Sequence, residues 1–227
     1  MGPVGPAGPL LQGNLIGYAY LNNENYNIAI TDYRGILVTI DGTTLSATTD
    51  STGKWEIDNV ETGIHDFEFY KNGYGRTKLV RYAFVGGGDA LVNQVTLGQL
   101  PTFDVSTITT AISGATVTVS GQITNTVPNY IRYVYIFFGK TNQVSSNPAN
   151  YFVVTSWPVT NNTNTYTSGT YFNTAWFSNY GLVSGDTVYV AAYARGGSSN
   201  SYTDFETQRY YYTDLSTTPK GTFFVIP

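Results

Sequence analysis

Between Val38 and Gly75, apolar and polar residues alternate in short runs separated by tight turns, and this pattern constrains the fold more than any other in the chain. Val38 and Ile40 point to one side ahead of a turn at Asp41-Gly42. Trp55 and Ile57 follow the Asp50-Ser51-Thr52-Gly53 turn. Phe67 and Phe69 come after Gly63, with Asp66 and Glu68 on the opposite side. Alternation with a period of two, interrupted by Asp-Gly and Gly turns, marks antiparallel strands that bury one face. The rest of the chain is rich in Tyr, Thr, Asn, Ser and Gly and shows no sustained helical stripe, a strand-and-turn composition. The expected class is all-β, and 227 residues suffice for one large β-domain or two of about 100 residues.

Several function classes fall away on composition. The sequence has no cysteine, which excludes disulfides, Cys-ligated metals and a thiol nucleophile. His65 is the single histidine, so the usual zinc ligand sets cannot form, and a Ser-His-Asp triad would have to be built around that one residue. It shares a strand face with Phe67 and Phe69, which predicts a partly buried structural imidazole. The net charge is −4 and the few Lys and Arg are scattered, so nucleic acid is not an expected partner. No apolar run reaches the roughly 20 residues that span a bilayer, and no stretch reads as a signal peptide. The 15 acids sit mostly at turns (Asp41, Asp50, Asp89, Asp186) or on polar strand faces (Glu56, Asp58, Asp66, Glu68). Turn aspartates bond their own backbone, which accounts for them without catalysis. A carboxylate-pair hydrolase stays open as the enzymatic alternative. The oxygen donors of Asp50–Lys54 and Asp58–Glu61 lack the ligand density of a calcium loop, so plain turns are expected there. No enzyme, cofactor or metal is expected.

The segment opens with V-x-I-x-G (Val38 to Gly42) and continues with T-T-D-x-x-G-x-aromatic (Thr48 to Trp55). It then runs through Asn59-Val60 and Gly63, with His65 in the next aromatic slot, to Lys71-Asn72-Gly73-Tyr74. This thread resembles the carboxypeptidase regulatory-like (transthyretin-like) β-sandwich. That family's regulatory domain carries no catalytic residues. With an opening strand at Leu15–Leu21, which sets Leu15, Gly17, Ala19 and Leu21 on one face and Ile16, Tyr18 and Tyr20 on the other, this first domain is expected over residues 12–100. Further strands are expected at Lys78–Val85 and Leu91–Leu97, with a joint near Gly98–Pro101.

The second domain, residues 101–227, is expected to be an immunoglobulin-like sandwich. Strands are predicted at Thr116–Ile123, Arg132–Gly139 and Asp186–Arg195. The run Leu182-Val-Ser-Gly-Asp-Thr-Val-Tyr-Val-Ala-Ala-Tyr-Ala-Arg195 resembles the E–F corner and F strand of a fibronectin type III-like domain. Here Val188 occupies the corner tyrosine position and Tyr189 lies one step away. The segment between strands C and F, about residues 140–185, is long for a minimal sandwich.

With Val134, Ile136 and Phe138 facing in, Tyr133, Tyr135 and Phe137 face out; with Val188, Val190 and Ala192 facing in, so do Tyr189 and Tyr193. C and F strands are neighbours in such sandwiches, so these five rings are expected to share one outer face. Either the 140–185 segment or the first domain covers that face, or it is a partner- or sugar-binding surface. The segment supplies Tyr151, Trp157, Tyr166, Tyr171, Trp176 and Tyr180 among many Asn and Thr, and Trp157 and Trp176 are the next candidates for a binding surface. Residues 2–10 form three collagen-type triplets, too few for a triple helix, and are expected to be part of an extended tether over residues 1–11. Such runs resemble those behind the lipidated cysteine of anaerobic bacterial surface lipoproteins. The resemblance implies a place at the cell surface or in the periplasm, held to the membrane only by a lipid anchor upstream of Gly2; with too few triplets to trimerise, a monomer is expected. The function expected is non-enzymatic binding of a glycan or a surface protein, accessory to polysaccharide uptake; the alternative is a structural spacer or an adhesin- or fimbria-like component. Deleting Gly2–Pro9 is expected to leave particle mass and thermal midpoint unchanged. A trimer that becomes monomeric on deletion would overturn the tether reading.

Overall fold

The computed structural model describes residues 10–25, 30–125, 132–159, 163–198, 200–205 and 207–227; most of the Gly-Pro-x tether lies outside them. The protein is all-β and forms two compact units. One comprises the chain up to Leu21 with Ile30–Asn72 and Arg76–Leu97. The other comprises Gly98–Pro227 with Gly73–Gly75 and the segment that begins at Asn22. No helix among the described residues is long and apolar enough to cross a membrane.

The first unit contains β1 (Gln12–Asn22), β2 (Leu37–Ile40), β3 (Ser46–Thr48), β4 (Lys54–Glu61), β5 (Gly63–Tyr70), β6 (Thr77–Phe84), β7 (Ala90–Leu91) and β8 (Val95–Gly98). One sheet runs β4-β1-β7 with β8 also on β1, and the other runs β3-β2-β5-β6. The expected Leu91–Leu97 strand is two short strands. Val92 between them is buried and its N–H donates to the Ile16 carbonyl, so the chain stays on β1 without continuing the ladder. The period-two alternation places Leu15, Ala19, Val38, Ile40, Trp55, Ile57, Phe67 and Phe69 in the core between the sheets. Trp55 of β4 meets Phe67 and Phe69 of β5 at ring separations of 5.7 and 6.1 Å, which joins the two layers.

His65 is half-buried at a bulge in the β5–β6 ladder, and its Nε2 is 2.8 Å from the Glu61 carbonyl oxygen. The bulge is held by Asp66, which accepts the Arg81 N–H at 2.6 Å while Arg81 takes a left-handed φ of 57°. The imidazole therefore has a local backbone partner. Asp50 accepts from Thr52 and Lys54 within its turn, and the Thr52 hydroxyl leads the contacts that hold its carboxyl below the usual range. This is turn chemistry.

The second unit contains β9 (Val105–Ser113), β10 (Thr116–Ile123), β11 (Tyr133–Gly139), β12 (Val153–Pro158), β13 (Thr165–Thr167), β14 (Phe172–Asn173), β15 (Thr187–Arg195), β16 (Ser201–Thr203), β17 (Tyr210–Tyr212) and β18 (Lys220–Val225). One sheet joins β9 to β10, and β13 and β14 pair with different stretches of β10 as a broken edge strand. Buried Ser168 spans the break, its hydroxyl accepting the Val119 N–H and its own N–H donating to the Val119 carbonyl. The second sheet runs β12-β11-β15-β18, and β16 and β17 form a separate hairpin. Between the sheets lie Val117, Val119, Val134, Ile136, Phe138, Phe172, Val188, Val190 and Phe224. Tyr166, from the long segment, is also core: its hydroxyl donates to the Thr107 carbonyl at 3.0 Å, and burial pushes its phenol up.

Gly17 marks a close approach in the first core, where β1 passes the Trp55 ring. A Cβ there would lie 2.4 Å from the Trp55 ring, closer than real Cβ atoms approach, so the strand or the indole would have to shift. Gly17→Val is expected to destabilise by about 1–3 kcal/mol, the cost of overpacking, read from the urea midpoint. An unchanged midpoint would show that the Trp55 packing is not as close as described.

Candidate functional site: an aromatic ridge and a polar groove

The outer face of the β12-β11-β15-β18 sheet does gather the five rings. In the β11–β15 ladder Tyr135 lies opposite Tyr193, Phe137 opposite Ala191 and Gly139 opposite Tyr189. Tyr189 faces Phe223 across β18. The rings differ in cover. Phe137 is fully buried and Tyr193 is 6 % exposed, and with Tyr151, Ala191 and Leu215 they form a second core. Tyr135 is half-buried against that core; Tyr133 and Tyr189 are half-buried, and Phe223 beside Tyr189 is exposed.

Two segments supply the cover. The first, residues 140–152, brings Val144 and Tyr151, and its Ser146 N–H donates to the Tyr193 hydroxyl at 3.2 Å. The second, which the sequence reading did not single out, runs from β17 to Ser216 and brings Tyr212 and Leu215. The segments are joined by the Tyr151 hydroxyl, which donates to the Tyr210 carbonyl at 3.0 Å. Burial pushes the Tyr151 phenol up to about 12. Since its ordinary value is 10.0, the stability its neutral form contributes is complete below that pH and is lost as the pH rises towards 12.

The second cover segment is anchored by a buried ion pair. Arg195, at the end of β15, is 2 % exposed and Asp214 is fully buried. Asp214 Oδ1 accepts from Arg195 Nε at 2.7 Å and lies 2.6 Å from Nη2. Asp214 Oδ2 accepts from the Ser198 hydroxyl and the Asn200 N–H, both at 3.2 Å. Nη2 also donates to the Asn200 carbonyl, and the guanidinium lies 4.5 Å from the Tyr135 ring centroid. Burial pushes the Asp214 carboxyl up, and the Arg195 charge opposes that shift. Beyond the pair, Ser216 bonds both backbone groups of Ala194 and so extends the edge of β15 past the end of β18.

The cover creates a groove of about 590 Å³ beside it, lined in part by Lys140, Gln143, Asn150, Tyr151, Phe152, Tyr180 and Arg209. Its wall is set by a short turn: Asn147 caps the 3-10 turn Pro148–Asn150 by accepting the Ala149 N–H. Arg209 Nη1 then donates to the Pro148 carbonyl at 2.9 Å and to the Tyr151 carbonyl. Lys140 donates to the Tyr180 carbonyl at 3.1 Å.

A ridge of aromatic rings runs from this groove. Phe152 meets Tyr180 at 5.2 Å, Tyr180 meets Trp176 at 5.0 Å, Trp176 meets Tyr171 at 6.0 Å and Tyr171 meets Trp157 at 5.7 Å. Tyr171 is 56 % exposed and the other four are half-buried, packed against the main core from outside. A short helix, α1 (Thr174–Ser178), positions Trp176, and Asn173 caps it by accepting the Trp176 N–H at 2.8 Å. Trp157 and Trp176, flagged by composition, therefore belong to one surface. Tyr133, Tyr135, Tyr189 and Tyr193 belong to the sheet face. Phe152 and Arg209 were not among the sequence candidates for a binding surface, because rings and charges from separate loops share no spacing that could mark them.

Among the described residues no group of three or more His, Cys, Asp or Glu is placed to hold a metal ion. The site offers ring faces, two side-chain amides and two cations, which are means of binding. No family model matches the sequence and no curated protein matches it. Among solved structures, an interface mutant of the type II cohesin–X-dockerin complex from Acetivibrio cellulolyticus is 25 % identical, with a TM-score of 0.31. The match covers 37 % of this chain and 56 % of that one, so it spans little more than half of that chain. A proposed carbohydrate binding protein from Bacteroides uniformis is 13 % identical over 95 % of this chain and 99 % of that one, TM-score 0.33. A DUF3823 family protein from Parabacteroides merdae is 12 % identical over 92 % and 98 %, TM-score 0.29.

Removing one partner of the buried pair leaves the other charged and unpaired. Asp214→Ala is expected to cost about 3–5 kcal/mol in denaturant unfolding. A loss within 1 kcal/mol, about the worth of an exposed pair, would mean that Arg195 finds water and that the cover is not held as described.

Proposed function

We propose that this protein is a non-enzymatic binding protein of the bacterial cell surface and that its second unit holds a saccharide chain along the aromatic ridge and in the groove. The observation that carries this reading is the continuity of five partly exposed rings with a groove whose rim bears Gln143 and Asn150. Sugar rings present C–H faces that stack on Tyr and Trp, and their hydroxyls pair with side-chain amides. A ring with an apolar body suits such a ligand at small entropic cost. The tether resemblance supports display on a lipid anchor, and the two compact units support a division into two domains near Leu100.

The strand order supports the finer family reading. A β9-β10-β13/β14 sheet against a β12-β11-β15-β18 sheet is the arrangement expected of a fibronectin type III-like domain. The two four-stranded sheets of the first unit suit a carboxypeptidase regulatory-like sandwich. The alternative role, a structural spacer or fimbria-like component, predicts no saccharide affinity.

Tyr171 separates binding from folding because it is exposed. Tyr171→Ala is expected to weaken saccharide binding about tenfold while changing stability by no more than about 0.5 kcal/mol. Glycan-array screening followed by calorimetry on the best binder measures the first, and thermal unfolding measures the second. Absence of binding to any saccharide on the array would favour the spacer.

A further inference from the structure

We infer that the groove selects an acidic saccharide, one carrying a carboxylate or sulfate, and this rests on the saccharide-binding reading above. The chain as a whole is acidic, with 15 Asp and Glu against 11 Lys and Arg. The groove reverses that balance: Lys140 and Arg209 line it and, among the described residues, no Asp or Glu does. Among the described residues no carboxylate forms an ion pair with either cation. Lys140 is exposed, and a single N–H reaches the Tyr180 carbonyl, while an ammonium carries three donors.

Arg209 is half-buried and oriented. Both of its carbonyl bonds use Nη1, and its guanidinium lies 5.5 Å from the Tyr151 ring centroid. Nε and Nη2 stand outside those bonds, in the fork geometry that takes a carboxylate or sulfate through two oxygens. Asp204, in the β16–β17 hairpin, lies outside the lining, and its Oδ1 accepts from the Thr207 N–H and hydroxyl. Two cations held by backbone carbonyls at the rim of a groove with an aromatic wall suit a sugar ring that stacks on Tyr180 and presents its anion to Arg209 or Lys140. A neutral sugar would leave the fork to water, so the charge adds selectivity as well as attraction.

The test uses the whole chain and two probes that share one sugar backbone and differ in charge: a trimer of galacturonic acid and its methyl ester, which replaces each carboxylate with a neutral ester. The acid is expected to bind about tenfold tighter than the ester in low salt, equivalent to about 1.4 kcal/mol. That advantage should shrink at 0.5 M salt, where the screening length falls below 10 Å. Lys140→Gln, at an exposed position, should remove much of the preference without lowering the thermal midpoint. Arg209→Lys should reduce it while keeping the charge, because the fork is lost. Equal binding of acid and ester, or tighter binding of the ester, would overturn the inference and leave saccharide binding standing. A preference for the acid that both variants retain would overturn the groove as its source. Failure to bind the acid, the ester and every neutral glycan of the array would overturn the underlying function as well.

Discussion

The pairing of Arg195 with Asp214 is the interaction on which the second unit's arrangement depends. An arginine at the end of a central strand, on the outer face of its sheet, would ordinarily reach water. Here it is 2 % exposed because the chain from β17 to Ser216 folds over it, and that fold is tenable only with a carboxylate to receive the guanidinium. Such a pair adds little net stability over an apolar replacement, since desolvation opposes the attraction. Its effect is positional. With Oδ1 on Arg195 and Oδ2 on Ser198 and Asn200, Asp214 has one place to be, and Leu215 and Tyr212 follow it onto Phe137 and Tyr193.

A sheet covered on both faces has a consequence for function. In a simple sandwich the outer face of β11 and β15 would meet solvent, and five rings would lie exposed. Burial of Phe137 and Tyr193 removes the centre of that surface and contributes about 1.5–3 kcal/mol for each ring fully removed from water. The surface available to a partner moves outward, to the covering loops and to the ridge beyond them. Glu24 anchors another stretch of the same unit in a similar way: it accepts from the Thr102 N–H and hydroxyl at 2.6 and 2.8 Å and stands 3.6 Å from buried Arg132. Buried charge in this unit fixes irregular chain where strand pairing cannot.

What the sequence disclosed and what it hid divide along the range of the interactions. Alternation is local, so Trp55, Ile57, Phe67 and Phe69 on β4 and β5 could be assigned to the buried side from the chain alone, whereas for β1 it separated two faces and the fold chose the one with Leu15, Ala19 and Leu21 for the core. The inward sets of β11 and β15 were legible for the same reason. Asp214 was not, because it is 19 residues from Arg195 and reads as an ordinary turn acid after three tyrosines. Nor was the broken β13–β14 edge, since the Ser168 hydroxyl that substitutes for a backbone group leaves no periodic trace. Trp157 and Trp176 stood out by composition, but their union through Tyr171 and Tyr180 exists only once β12, β14 and α1 have been brought together.

Placing a site on loops that are themselves pinned to a sheet also bears on affinity. A mobile loop must lose rotational and backbone freedom when it closes on a ligand, at a cost of about 0.5–1.5 kcal/mol for each long side chain immobilised. In the groove much of that ordering is already complete. Arg209 holds two carbonyls of the facing turn, Lys140 holds the carbonyl of Tyr180, and Tyr151 is locked between Phe137 and the Tyr210 carbonyl. Each of these contacts fixes a groove residue through its backbone or through a buried ring, leaving further donors and ring edges free for a partner. The covering chain that closes the second core therefore also pre-shapes the groove, and weakening the cover should cost binding even where no groove residue is altered.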